Sequence, residues 1–152
     1  MRHLVTRIML SFCLITVLYW SGHQPAAAQD TGAEDIVVIA NRDVSITQLD
    51  RDSLRAIFAM RQRTWPDGQA VHVFVLPNDA DVHAAFAKER LAVFPHQLQL
   101  AWDRMVFSGT GQAPHRIRTQ QEMLEAIAST AGSIGYIARE YLDERVQVIT
   151  RE

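Results

Sequence analysis

The stretch from Val71 to Phe86, V-H-V-F-V-L-P-N-D-A-D-V-H-A-A-F, constrains the fold more than any other part of the chain. Val71, Val73 and Val75 are β-branched, and the run stays apolar through Leu76, which reads as a buried strand. Pro77 and Asn78 break it, and Asp79 and Asp81 fall where the first turn of a helix begins. A strand feeding a helix through a short loop is the usual binding corner of an open α/β sheet, because free N–H groups there point outward. Two aspartates are odd residues for gripping an anion. The stretch therefore makes the architecture legible and leaves the ligand open.

The N-terminus reads as an address. Arg2, His3 and Arg7 form a basic end, Ile8–Trp20 is an apolar run too short for a dependable membrane span, and Pro25 precedes Ala26-Ala27-Ala28. This predicts a signal peptide over 1–28, cleavage before Gln29, a periplasmic or secreted mature chain at 29–152, and no membrane insertion after cleavage. Cys13, inside the apolar run, is the only cysteine, so the mature chain has neither a disulfide nor a thiolate metal site. Removing Arg2 and Arg7 from 15 basic residues, against 17 acidic ones, leaves the mature chain acidic. That balance argues against a nucleic-acid or anionic-membrane surface, both of which need a basic patch.

The rest of the chain alternates between strand and helix signals. Ile36–Ala40 is an apolar run of strand length, ended by Asn41-Arg42-Asp43. Asp50 is placed to cap a helix whose buried face is Leu54, Ile57 and Phe58, and Trp65-Pro66-Asp67-Gly68 is a turn leading to the strand at Val71. A helix from about Asp79 to Val93 follows. Pro95 opens another, with Leu98, Ala101, Trp102, Met105 and Val106 as its apolar stripe. Arg116–Arg118 reads as a short strand, and Thr119-Gln120-Gln121-Glu122 as a capping box before a helix with inner face Leu124, Ile127, Ala128 and Ala131. Ile134–Ala138 and Val146–Thr150 close the chain as strands, with Tyr141 and Leu142 packing between them. The pattern predicts an α/β fold, an open, mostly parallel sheet with helices on both faces.

Leu54-Arg55-Ala56-Ile57-Phe58, followed by Arg61, Arg63 and Trp65-Pro66-Asp67-Gly68, resembles the L-x-x-I-F … W segment of phosphate-type periplasmic solute-binding proteins. The Val71–Phe86 corner and Gly132-Ser133-Ile134-Gly135-Tyr136-Ile137 resemble further stretches of that family, in the same order. The likeness runs from about Ile36 to Ile149 and covers one lobe of a two-lobed protein. It implies a type II periplasmic-binding-protein fold, no cofactor, and an oxyanion held by a Ser-Gly-Thr-type loop at a helix N-terminus.

This chain departs from the family at that loop. Aligned on Phe86, Ala80 stands at the serine, Asp81 at the glycine and Val82 at the threonine, while Leu76 or Pro77 falls near the usual arginine. The hydroxyl donors and the cation are missing, and Asp79 and Asp81 put negative charge where the anion sits. The resemblance thus implies a degenerate oxyanion loop. The candidate ligand-binding residues are Asn78, Asp79, Ala80, Asp81, Val82 and Tyr136, the last at the end of a core strand. Arg61, Arg63 and Trp65 are candidates for gripping a partner's acidic surface, with an arginine stacked on the indole.

Other motifs read as ordinary structure. Ser108-Gly109-Thr110-Gly111 follows a helix C-terminus and lacks a preceding strand and a following lysine, so it is a helix stop and not a phosphate cradle. His72, His83, His96 and His115 form no metal-binding spacing and read as solvated. No G-x-S-x-G elbow or acid–base pair supports catalysis. Two classes of function remain. The first is a solute-binding-protein-like domain of a phosphate-type ABC transport or sensing system, taking a small solute or anion. The alternative is a periplasmic interaction module that has lost its ligand and serves a membrane transporter or sensor protein.

Overall fold

The computed structural model describes residues 36–152. The signal peptide expected at 1–28 lies outside the described residues. Six strands form one sheet: β1 (Ile36–Asn41), β2 (Gln48–Leu49), β3 (His72–Val75), β4 (His115–Arg116), β5 (Ser133–Ala138) and β6 (Val146–Arg151). They lie in the order β2-β6-β1-β5-β3-β4. β2–β6, β3–β5 and β3–β4 pair in parallel, whereas β1 is antiparallel to both β5 and β6. The sheet is mostly parallel, as the alternation of elements implies, and β1 is the one strand that runs against the rest.

The short link between β5 and β6 sets those two strands in the same direction on either side of β1. Ala138, at the end of β5, faces Ile36, while Val146, at the start of β6, faces Asn41. Residues 139–145 therefore run back along the length of β1 to start β6 in the direction of β5. The two late strands flank the first, whose own direction no helical crossover fixes.

The helices are α1 (Arg51–Phe58), α2 (Asp81–Ala85), α3 (Pro95–Phe107) and α4 (Gln120–Ser129). Asp50 caps α1 as expected, its carboxylate accepting from the N–H groups of Asp52 and Ser53. α2 passes directly into a π-helical turn, Phe86–Arg90, which brings Phe86 and Ala87 into the core. Thr119 caps α4 by accepting from Glu122 N, and Glu122 reaches back to the N–H of Arg118. Pro95 stands at the start of α3.

Adjacent residues of β5 show which helices cover which face. A Cβ at Gly135 would meet Met123 and Ile127 of α4. Tyr136, pointing to the other side, stacks on Phe86 with ring centroids 3.8 Å apart and lies 5.9 Å from Phe58. α3 joins that second face, where the Trp102 Nε1–H donates to the carbonyl of Phe58 at 2.9 Å. Helices thus cover both faces, and β1 and β5 are buried through five residues each.

Several side chains differ from the sequence reading, Tyr141 among them, which is exposed and not packed between β5 and β6. Val106 points outward from α3 and is half exposed, because the buried stripe narrows to Leu98 and Trp102. Met123, and not Ala131, completes the inner face of α4. His83 is fully buried and not solvated, since α2 packs it under the sheet's C-terminal corner beside Tyr136 and Trp102.

Candidate functional site

The end of β3 and the starts of α2 and α4 enclose an open cleft of about 550 Å³. Leu76 forms its base, Ala80, Asp81 and Val82 one wall, and Arg118, Thr119 and Gln120 the other, with Tyr141 at the edge. The parallel pairing of Val75 with Arg116 creates this arrangement by carrying the start of α4 alongside the corner. Of the sequence-based candidates, the cleft gathers Ala80, Asp81 and Val82. Asp79 is an exposed turn residue just outside. Asn78 points away, donating to Gln99 of α3 at 2.9 Å.

Tyr136 does not face the cleft. It is fully buried beneath it, and its hydroxyl accepts from the N–H of Leu76 at 2.9 Å. The same oxygen is 2.5 Å from His83 Nδ1. Nδ1 is the one acceptor beside the hydroxyl among the described residues, so the arrangement that satisfies the phenol proton donates it to Nδ1 and leaves the histidine's own proton on Nε2. Burial, reinforced by the Arg116 charge, lowers the His83 pKa to about 4, and burial raises that of Tyr136. This pair positions the floor of the cleft and is not available to a solute.

Charge divides the cleft. Asp81 lies on the α2 wall, while Arg118 and the first residues of α4 line the opposite one. With Thr119 Oγ1 accepting from Glu122 N, the N–H groups of Gln120 and Gln121 remain at the helix start. The ion pairs among the described residues are Arg55–Asp52 and Arg145–Asp143, so Asp81 and Arg118 belong to neither. The α4 wall carries the free N–H donors, with the Glu122 carboxylate already on the N–H of Arg118, and the α2 wall repels an anion through Asp81. Sequence reasoning missed Arg118, Thr119 and Gln120: the capping box located the helix start but not the strand pairing that sets it beside β3.

The partner-binding candidates separate. Arg61 and Arg63 are exposed. Trp65 is buried, and its Nε1–H donates to the carbonyl of Gly132 at 2.9 Å, so its indole is committed to the core and offers nothing to a partner. The expected stacking of an arginine on an indole occurs elsewhere, with the Arg116 guanidinium 5.8 Å from the centre of the Trp102 ring.

No family model matches the sequence, and no curated protein matches it. Solved structures do. A phosphate ABC transporter receptor from Vibrio cholerae is 14% identical over 77% of this chain and 46% of its own, with a TM-score of 0.60. A putative phosphate ABC transporter substrate-binding protein with bound phosphate, from Clostridium perfringens, is 14% identical over 77% and 44%, with a TM-score of 0.63. PstS from Borrelia burgdorferi is 12% identical over 78% and 47%, with a TM-score of 0.58. The fold is that of part of a phosphate-type substrate-binding protein. This chain spans less than half the length of these structures, and the likeness is one of fold.

Proposed function

We propose that this chain is an exported, non-catalytic solute-binding-protein-like domain of a phosphate-type transport or sensing system, whose oxyanion corner has degenerated. Asp81 carries the proposal. It stands on the cleft wall outside every ion pair among the described residues, where a bound anion would meet its charge. The fold shared with phosphate-binding proteins supports the class, and the basic, apolar and small-residue segments of 1–28 support export. Inorganic phosphate is expected to bind no better than millimolar, about −4 kcal/mol, which a few backbone donors supply. Isothermal titration of the unmodified chain tests this, and micromolar phosphate binding would return it to the ordinary phosphate binders.

A second reading, an interaction module for a protein partner, rests on a different observation. α3 turns Leu100 and Phe107 toward solvent, Phe107 being 89% exposed, more than packing of the described residues requires. Pull-down by a membrane transporter or sensor, lost when Phe107 is changed to Ser, is the outcome this reading expects.

A further inference from the structure

A groove of about 500 Å³ separates α1 from α3 and shares no lining residue with the cleft. Its floor includes Ala59, Leu98 and Met105, and its rim carries Arg55, Arg61 and Arg104. Arg55 is held in place, its Nε donating to the carbonyl of Leu91 at 2.8 Å and its Nη1 lying 3.4 Å from Asp52, whose side chain is mostly in solvent. Arg61 and Arg104 have no carboxylate within ion-pairing distance among the described residues. In a chain with more acidic than basic residues, three arginines around one apolar trough are a local reversal of charge.

Arg104 also belongs to a stripe along the outside of α3. Leu100, Arg104 and Phe107 are spaced i, i+4 and i+7, so an apolar side chain, a cation and a second apolar side chain follow one another beside the groove. The negative end of the α3 dipole lies nearby, but its half charge is outweighed by three guanidinium groups.

From this charge complementarity we infer that the groove and the α3 stripe form a docking site for an acidic, amphipathic segment of a protein partner. Carboxylates of that segment pair with Arg61 and Arg104, bidentate where geometry allows, and its apolar side chains cover Met105, Leu100 and Phe107. The inference rests on the second reading above and is independent of ligand binding at the cleft. Electrostatic pairing at an open rim sets encounter and register, and the apolar contacts hold the complex.

The test is selection of a random peptide-display library on the unmodified chain, followed by anisotropy titration of the enriched peptides. The expected peptides carry carboxylates alternating with Leu or Phe at helical spacing. Raising the salt from about 0.05 to 0.3 M should weaken them roughly tenfold, because surface ion pairs are screened. Arg61→Glu with Arg104→Glu should weaken them by a similar factor; both positions are exposed, and thermal melts check that the variant is folded. Peptides lacking carboxylates, or no enrichment at all, would overturn the inference. Acidic peptides that bind the double variant equally well would remove the groove while leaving the interaction-module reading intact. Binding to phosphatidylglycerol vesicles without peptide binding would assign the surface to a membrane, and a dimer dissolved by the same variant would assign it to a second copy; either result refutes a peptide-docking site. Asp81 and Arg118 are untouched in these proteins, so phosphate titration reports on the cleft separately.

Discussion

The Tyr136 hydroxyl joins the N–H of Leu76 to His83 Nδ1, tying the floor of the cleft to a fully buried histidine. Among the described residues His83 Nε2 has no hydrogen-bond partner, so the ring has no group ready to accept a second proton's charge. With its pKa lowered to about 4 in the fold, His83 binds its proton more readily in the unfolded chain, at the ordinary 6.5. Its stabilising contribution is therefore complete above about pH 6.5 and is lost progressively as pH falls toward 4. From pH 7 to 5 the loss should be on the order of 2 kcal/mol, since one pKa unit is about 1.4 kcal/mol. His83→Phe should be less stable at pH 7 but show a flatter pH dependence across that window. Urea melts of both proteins at several pH values decide this, and parallel slopes would mean His83 is not the titrating group.

Trp102 links α3 to α1 through both packing and its bond to the Phe58 carbonyl. Trp102→Ala should cost on the order of 3–5 kcal/mol by opening a cavity and stranding that carbonyl. Trp102→Phe should recover a large part of the loss because it fills most of the volume. A loss below about 1 kcal/mol for the alanine variant in denaturant melts would show that α3 is not packed by this residue.

Gly132 and Gly68 both adopt positive φ, at +68° and +89°, but only Gly132 lacks room. A Cβ there would stand 2.3 Å from the Ala70 carbonyl oxygen, whereas nothing lies within 4 Å at Gly68. The Gly132 carbonyl also accepts from Trp65 Nε1 and from the N–H of His72, so backbone movement there disturbs the start of β3. Gly68→Ala should cost about 1 kcal/mol from conformation alone, and Gly132→Ala about 2–4 kcal/mol. Equal midpoints in thermal melts would contradict this ranking.

The sequence made the elements legible where local chemistry sets them. Asp50 and Thr119 cap helices through their own side chains, Pro95 opens one, and the Trp65–Gly68 turn delivers β3, all within a few residues. What escaped is set by distant partners. The opposed direction of β1 depends on strands about 100 residues later, and the burial of His83 and Tyr136 depends on each other and on Trp102. Half of the candidate cleft, the corner Ala80-Asp81-Val82, could be read from one segment. The Arg118 wall could not, because β4 has two residues and its pairing with β3 leaves no periodic trace in the sequence.

Arg118 offers the sharpest test of the cleft. Ala80→Ser, Asp81→Gly and Val82→Thr together remove one negative charge and add two hydroxyl donors to the α2 wall, and should improve phosphate affinity. If the Arg118 guanidinium and the α4 N–H groups complete the opposite wall, adding Arg118→Gln should cancel about tenfold of that gain, the usual worth of a charge-assisted hydrogen bond. In the unmodified chain Arg118→Gln should change little, because Asp81 already opposes the anion. Isothermal titration of the four proteins at one ionic strength makes the comparison. Full retention of the gain in the Arg118→Gln background would place the anion away from α4 and dismantle the two-walled cleft described above.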